Sequence, residues 1–351
     1  MKNILFSIIT ILILNSCSTV SNKIVYETRQ LQGKAIDNKT MGDLFLQNKD
    51  YVKAIDYYNG TLKYFVLSDN VLGIIRTLTD LGNAYNIMNE TDNAMLYLND
   101  ALKISENEST SGIEMGYLYH CFGDTYYIKK DFSKAIENYT KAIEKYSSYE
   151  ENIATAKISL AKALRETGDQ SASEKNLFEA MVSLEKLYKS NILLKIDNLS
   201  GSYFALGYFY FQTKDFSKSE MFIRKAIEID RISENSNGLA QNFYSLGKIN
   251  EISGGNLSKT LYYFEKSRDI YKGLNFYDDF IRVTQTIADL YEKSADFKMV
   301  LNNLLYILNV TNNAELKNTI IKKVTKILAD GQKSDYFTKS EIVDYKYKFR
   351  L

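Results

Sequence analysis

The sequence predicts an all-α protein: an α-solenoid of about seven helix hairpins followed by a C-terminal capping helix. Small residues recur with a period near 40 residues, apolar residues within each period have helical spacing, and the 351-residue chain contains no proline. Long helices tolerate the lack of proline, whereas loop-rich folds commonly use proline in their turns. Together these observations favour stacked helices over any sheet-containing fold.

The first element is an export signal. Residues 1–16 contain one lysine and an apolar stretch from Ile4 to Leu14. This stretch is too short to span a bilayer and fits the central region of a signal peptide. The sequence Leu14-Asn15-Ser16-Cys17 resembles a bacterial lipobox, which implies that residues 1–16 are removed, that Cys17 is acylated and that 17–23 form a lipidated tether. The alternative is an uncleaved membrane anchor.

The repeat is defined by three small or medium residues in each period. The first recurs at Gly42, Gly82, Gly123, Ala161, Gly207, Gly247 and Ala288. The second follows twelve residues later, or thirteen in the sixth repeat, at Ala54, Ala94, Ala135, Ser173, Ser219, Thr260 and Val300. The third follows after seven more, at Thr61, Ala101, Ala142, Ala180, Ala226, Ser267 and Ile307. Such a fixed period is typical of a solenoid.

Helix packing explains this pattern. Within each period one apolar stripe precedes a turn, such as KKD at 129–131, GD at 168–169 or TKD at 213–215, and a second stripe follows it. Small residues at the crossing let two helices approach closely, while large neighbours fill the flanks. Because one hairpin cannot bury both of its faces, each is expected to stack on the next.

The segments LGNAY (81–85), FGDTY (122–126) and LGYFY (206–210), each followed by the second-helix pattern, resemble the tetratricopeptide repeat family over about residues 35–314. The resemblance implies a right-handed superhelix whose first helices line a concave groove for partner segments. Three features depart from the family. The tryptophan near the start of each repeat is replaced by Leu78, Tyr119, Tyr203 or Phe243, and the terminal proline is missing. The period near 40 exceeds the usual 34, as in a long-period subclass.

The rest of the chain completes the solenoid at 24–330. The long step from Ala161 to Gly207 predicts either a small hinge or a longer helix near 189–199. Residues 315–330 predict an amphipathic capping helix, because the exposed end of a solenoid has to be covered. Its inward residues are expected to be Ile320, Ile321, Val324 and Leu328. The tail, 331–351, is compatible with one more helix or a loose arm.

Composition excludes several classes of function. Lys and Arg number 44 against 43 Asp and Glu, so nucleic acid is not an expected partner. Nucleophile-elbow, phosphate-loop and metal-protease motifs are missing from the sequence, and His120 is the only histidine. His120 and Cys121 are adjacent, so on a helix they point about 100° apart and form a poor catalytic pair. We therefore expect neither enzymatic activity, nor a metal, nor a cofactor other than the covalent lipid.

The family register predicts groove-lining residues at fixed distances from each crossing residue. The central candidates are aromatic or basic: Tyr117, His120, Tyr127, Lys162, Arg165, Phe204, Tyr208, Phe211 and Tyr244. Exposed aromatics beside arginine are typical of binding hot spots. The alternative is that several of these rings pack inside the superhelix. The family's carboxylate clamp is not expected, because its sites read Lys39, Asp43 and Asp80 and the aspartates would repel a carboxylate.

These observations favour a membrane-anchored adaptor or scaffold lipoprotein that binds another envelope protein or peptide segment in its groove. Ser18 after the acylated cysteine resembles an outer-membrane sorting signal. The alternative function is a receptor for a small ligand or glycan that stacks on the central aromatic residues. An unrecognised catalytic site and a self-assembling envelope scaffold are the remaining hypotheses.

Overall fold

The computed structural model of the protein describes residue 25 and residues 27–106, 110, 112–333 and 336–351. The regular structure of these residues is α-helical, without strands, and successive helices pack as hairpins. The predicted all-α solenoid of helix hairpins is confirmed. The predicted signal peptide 1–16, Cys17 and the tether 17–23 lie outside the described residues.

The contacts of the chain define two compact units with a boundary between Ser183 and Leu184, so the predicted array 24–330 spans both. The helices of the N-terminal unit are α1 (27–47), α2 (Tyr51–Leu67), α3 (Val71–Ile87), α4 (Thr91–Glu106), α5 (Gly112–Ile128), α6 (Phe132–Tyr146) and α7 (Glu150–Glu166). Helix α8 (Gln170–Lys189) crosses the boundary. The C-terminal unit continues with α9 (Ile196–Gln212), α10 (Phe216–Ile232), α11 (Ser236–Ile252), α12 (Leu257–Gly273), α13 (Tyr277–Lys293), α14 (Phe297–Val310), α15 (Ala314–Lys333) and α16 (Lys339–Phe349).

The long repeat step between Ala161 and Gly207 has two sources. Helix α8 has 20 residues, whereas most helices of the chain have 17. Residues 190–195 then connect α8 to α9 without helix. Of the two alternatives for this region, the longer helix is present; a hinge at 190–195 stays a prediction.

Close approach at a glycine holds each glycine-containing hairpin together. A Cβ atom at Gly123 would lie 2.5 Å from Tyr139 Cδ1, and one at Gly207 would lie 2.6 Å from Ile223 Cδ1. In both hairpins the contacted side chain follows the glycine by sixteen positions, which places it opposite the glycine on the second helix. A larger residue can therefore take the place of the glycine only if the two helices move apart or the facing side chain moves.

The second-helix positions of the repeat are buried in all seven hairpins, as predicted. The positions twelve or thirteen residues after the crossing residue are at most 2% exposed, and those a further seven residues on are 0% exposed. Where serine replaces alanine at the first of these positions, its hydroxyl donates to the first helix: Ser173 Oγ to Ala161 O, and Ser219 Oγ to Gly207 O, both at 2.8 Å. The periodicity therefore marks the helix–helix interfaces.

The predicted turns have a consistent construction. Lys130 and Lys214 adopt positive φ angles of 62° and 64°, which end the first helix in the left-handed region. The aspartate that follows caps the second helix: Asp131 accepts from Lys134 N at 3.2 Å, and Asp215 accepts from Lys218 N at 3.1 Å. The Lys-Asp pair thus ends one helix and begins the next.

The C-terminal unit ends in two helices. On α15, Ile320, Val324 and Leu328 are buried as predicted, but Ile321 is only half-buried and Ile327 is buried in addition. Helix α16 lies within the predicted tail, and its Ile342, Tyr345 and Phe349 join the same core cluster. Its start is fixed by a capping box between Thr338 and Glu341.

Candidate functional site

A pocket of about 490 Å³ opens between α9 and α11 of the C-terminal unit. Four of the nine residues predicted to line a groove lie at this pocket: Phe204, Tyr208, Phe211 and Tyr244. The other residues that line it are Gly207, Ser219, Ile223, Gln241, Ser245, Lys248, Ile249, Ile252 and Arg282. Its volume is in the range that accepts a small molecule or a few side chains of a bound segment.

The crossing of α9 and α10 determines which α9 residues face the pocket. Gly207 lies against Ile223, and Phe209 and Tyr210, which follow it, are buried. Tyr208 is directed away from the bulk of the core and is 40% exposed. The glycine therefore fixes the rotation of α9, and this rotation brings one face of the helix to the pocket.

The α9 wall of the pocket is a ladder of three rings. The ring centroids of Phe204 and Tyr208 are 6.4 Å apart with 13° between their planes, and those of Tyr208 and Phe211 are 6.5 Å apart with 27°. Gln212 Nε2 donates to the Tyr208 hydroxyl at 2.7 Å. The central ring is therefore held in place, while Tyr208 as a whole stays 40% exposed to solvent.

The facing wall carries a cation held against an aromatic ring. The Arg282 guanidinium carbon lies 4.5 Å from the ring centroid of Tyr244. Burial opposes the charge of Arg282, but its hydrogen bond to Asp279 at 3.0 Å and the neighbouring tyrosines outweigh burial and raise its pKa. Arg282 is thus a fixed, permanently charged group at the edge of an apolar pocket.

A second cation completes this wall. Lys248 Nζ donates to Glu251 Oε2 at 2.9 Å, and Lys293 Nζ donates to the other oxygen of the same carboxylate at 3.0 Å. Burial tends to raise the pKa of Glu251, yet the hydrogen bonds from the two lysines lower it overall. The pocket lining contains Lys248 and Arg282 but no carboxylate, and each of these cations is paired with a carboxylate beside the lining, so their charges are largely neutralised.

Sequence reasoning missed Arg282 and Gln241. Both lie six residues before the crossing residue of their hairpin, Ala288 or Gly247. The predicted set used this register position only once, at Tyr117, although it lies seven residues, or about two helical turns, before the residue that follows the crossing residue and therefore shares the groove-lining face. Applying the same position to every repeat would have found both residues.

The other five predicted residues belong to the N-terminal unit, and two of them are tied to neighbouring helices. The Tyr117 hydroxyl donates to Asp80 Oδ1 at 3.1 Å, and burial raises the pKa of Tyr117 well above its usual value. His120 Nε2 lies 3.0 Å from Ser159 Oγ, and the His120 side chain is only 13% exposed. For these two residues the structure favours the alternative in which they serve packing between helices.

The remaining three predicted groove residues, Tyr127, Lys162 and Arg165, are more accessible to solvent or carry a charge. Tyr127 makes an edge contact with Phe132, with ring centroids 5.5 Å apart. Arg165 is paired with Glu166 at 2.7 Å. Lys162 is exposed to solvent, yet the protein around it lowers its pKa, mainly through desolvation and further through Arg165, against the opposing effect of Asp124. None of the three lies at the pocket of the C-terminal unit.

Family comparisons agree with the repeat pattern. Two family models described as tetratricopeptide repeat match the chain, one at residues 35–107 and the other at 117–144 and 200–232. The chain contains tetratricopeptide repeats. The last matched range contains α10 and most of α9, including Phe204, Tyr208 and Phe211, so a tetratricopeptide hairpin of the C-terminal unit supplies the aromatic ladder. No curated protein sequence matches the chain.

Solved structures share the tetratricopeptide fold at low identity. A Rap protein complexed with Competence and Sporulation Factor has a TM-score of 0.58 and 15% identity, over 82% of this chain and 76% of that chain. Aspartyl phosphate phosphatase F from Bacillus subtilis has a TM-score of 0.56 and 13% identity, over 82% and 73%. The apo form of RapI has a TM-score of 0.54 and 15% identity, over 82% and 99%. These similarities establish the fold alone.

The clamp positions of the first tetratricopeptide repeats are occupied by an ionic network. Lys39 Nζ lies 3.0 Å from Asp43 Oδ1 and 2.9 Å from Asp80 Oδ2. The Tyr58 hydroxyl also donates to Asp43, at 2.8 Å. Lys39 is therefore already neutralised by two carboxylates, which agrees with the expectation that it does not bind a partner's carboxylate.

Three kinds of functional feature are relevant to the described part of the chain: a reactive cysteine, a metal site and a membrane-spanning helix. Cys121 is buried, and burial raises the pKa of its thiol well above the usual value, so the reactive thiolate is disfavoured. No group of three or more His, Cys, Asp or Glu residues there could hold a metal ion. Among the same residues, none of the helices has the length and apolar character required to cross a bilayer.

Proposed function

We propose that the protein is an exported lipoprotein, held at the outer membrane through acylated Cys17, whose repeats bind a segment of another envelope protein. The observation that carries the binding role is the pocket of the C-terminal unit, with Phe204, Tyr208 and Phe211 on one wall and Tyr244 beneath Arg282 on the other. Accessible aromatic rings next to arginine are the residues that most often dominate the free energy of protein association.

The occupant is an apolar or aromatic side chain of the partner segment. The lining is mostly apolar, and the two cations at its edge, Lys248 and Arg282, are already oriented by Glu251 and Asp279. An extended or helical segment can insert one or two anchor side chains into a preformed pocket of this kind at little entropic cost. The fold neighbour solved with Competence and Sporulation Factor is a precedent for complex formation by this fold.

Crosslinking in the native host tests this proposal. A photoreactive p-benzoylphenylalanine replaces Tyr208 in the pocket or, as a matched control, Tyr262, which is 52% exposed on α12 of the same unit. We expect one discrete protein adduct at position 208 and none at 262. Adducts of equal pattern at both positions, or none at 208 in a correctly folded protein, would contradict a binding role for the pocket.

A glycan receptor is the second candidate. It is favoured by the accessible face of Tyr208 together with the amide of Gln241 and the hydroxyl of Ser245 in the same lining, since saccharides stack on rings and need polar partners. If the purified protein binds saccharide fragments and Tyr208→Ser abolishes this binding, the ligand of the pocket is a glycan and not a protein segment.

Acylation of Cys17 is tested separately by metabolic labelling with a fatty-acid analogue. The variant Cys17→Ser should abolish the labelling.

A further inference from the structure

The last helix, α16, has an outer face that its packing leaves uncovered. Ile342, Tyr345 and Phe349 point into the core of the C-terminal unit. Val343 and Tyr347, one helical turn apart, are 67% and 84% exposed. Tyr347 is among the most exposed large side chains in the described part of the protein, so α16 presents apolar surface on two opposite sides.

Three cations lie along one edge of this exposed ridge. Lys339, Lys346 and Arg350 are exposed and lie three or four residues from Val343 or Tyr347, which places them beside the ridge on the helix surface. In the described structure none of the three has an ion-pair partner, whereas both acidic residues of α16 are occupied: Glu341 by Lys298 and Asp344 by Lys348, each at 2.6 Å. The outer face is therefore apolar along Val343 and Tyr347 and positive along one edge, whereas the Asp344–Lys348 ion pair lies along the other edge.

The charge of the chain is concentrated in the same region. Residues 314–351 contain nine Lys or Arg and five Asp or Glu, a net charge of +4, whereas the whole chain has a net charge of +1. The rest of the chain is therefore slightly acidic. This asymmetry gives the end of the C-terminal unit an orientation preference near a negatively charged surface.

We propose that the outer face of α16 binds the anionic headgroups of a membrane surface. Val343 and Tyr347 enter the interface, where tyrosine is favoured, and Lys339, Lys346 and Arg350 contact the lipid phosphates. Neither of the two pockets described in the structure includes a residue of α16. Two exposed side chains beside three cations complement a flat, negatively charged surface. This contact is separate from the pocket on α9, α11 and α13.

The expected strength of the contact follows from the charges. Each lysine or arginine near an anionic surface strengthens binding by about fivefold, and the effect falls with salt. Removing three such cations should therefore shift the equilibrium between docked and undocked α16 by about 100-fold. The two apolar side chains alone leave only weak, charge-independent binding.

The lack of tryptophan in the chain provides a site-specific reporter. The full chain carrying Tyr347→Trp, or Tyr262→Trp as the control, is placed on vesicles of phosphatidylglycerol or of phosphatidylcholine that contain brominated lipid. We expect a blue-shifted, quenched indole only for Y347W and only on phosphatidylglycerol. Because Tyr262 lies on α12, quenching of Trp at position 262 would show that the whole protein is near the vesicle, whereas quenching at position 347 alone shows that α16 contacts the lipid.

The triple variant K339Q/K346Q/R350Q in the Y347W background identifies the role of the cations. Far-UV circular dichroism should be unchanged, because these side chains are exposed, while the quenching on phosphatidylglycerol should be lost. The proposal is overturned if the indole of Y347W is unquenched on anionic vesicles, or if it is quenched equally on phosphatidylcholine. Quenching that persists in the triple variant would equally refute recognition of headgroups.

Discussion

Replacing Gly123 by alanine tests the close helix packing found in each glycine-containing hairpin. The added Cβ would lie 2.5 Å from both Cδ1 and Cε1 of Tyr139, whereas ordinary carbon contacts are near 3.5–4.0 Å. The ring cannot easily withdraw, because it is 2% exposed and its hydroxyl donates to Asp124 at 2.7 Å. The α5–α6 hairpin must therefore open, or the hydrogen bond must break.

The magnitude follows from three contributions. Overpacking of a tight interface costs about 1–3 kcal/mol. Loss of a hydrogen bond to a partly exposed carboxylate costs about 1–2 kcal/mol more. Alanine is the better helix former by about 1 kcal/mol, which offsets part of this. Gly123→Ala should thus reduce the free energy of unfolding by about 1–4 kcal/mol.

Gly33 provides the matched control, because it is helical, lies in the same unit and has no atom within 4 Å of an added Cβ. Gly33→Ala should stabilise the protein by about 1 kcal/mol through helix propensity alone. Urea unfolding followed by far-UV circular dichroism measures both variants. The reasoning is refuted if Gly123→Ala raises the urea midpoint as Gly33→Ala does.

Three further predictions concern single positions. Ser267 is fully buried, its hydroxyl has no hydrogen-bond partner in the described structure, and other repeats have alanine there, so Ser267→Ala should stabilise the protein by about 1 kcal/mol in urea unfolding. Lys214 has a φ of 64°, so Lys214→Gly should raise the unfolding free energy by about 0.5–1 kcal/mol, while Lys218→Gly, inside α10, should lower it. The hydrogen bond from Lys298, together with the backbone and hydroxyl of Thr338, lowers the pKa of Glu341 to about 2. Because this carboxylate has a lower pKa in the folded state, its stabilising effect is present above about pH 4.5 and is lost as the pH falls towards 2, so Glu341→Gln should lower the melting temperature at pH 7 but not at pH 2.

The sequence was sufficient to predict the helix hairpins and their interfaces. The small residues have to face a neighbouring helix, so their positions report packing directly: Ala54, Ala101 and Ala226 are fully buried. Several turns were also predictable, because Lys-Asp pairs follow the first stripe at 49–50, 130–131 and 214–215 and aspartate is a strong helix N-cap. These features depend on contacts close in sequence or repeated along it.

The candidate pocket was predictable only in part. Helix α9 carries aromatic residues on every side, and only the position of Gly207 indicates that Tyr208 is accessible while Phe209 and Tyr210 are buried. The stacking of Arg282 on Tyr244 joins residues in different repeats, and neither residue type signals the other. The division of the chain near Ser183 and the packing of α16 likewise depend on tertiary contacts that no repeat position encodes.

Binding of the crosslinked partner segment to pocket variants tests the central claim most directly. Tyr208→Trp introduces the only tryptophan of the chain, and its fluorescence is titrated with a synthetic peptide that covers the crosslinked segment. Phe204→Ser removes a ring of the ladder, and Tyr262→Ser removes an exposed ring outside the pocket. We predict saturable binding that Phe204→Ser weakens by about tenfold or more, as for a hot-spot aromatic, and that Tyr262→Ser leaves unchanged. Equal affinity for the Phe204→Ser variant and the parent would contradict the assignment of the pocket as the binding site.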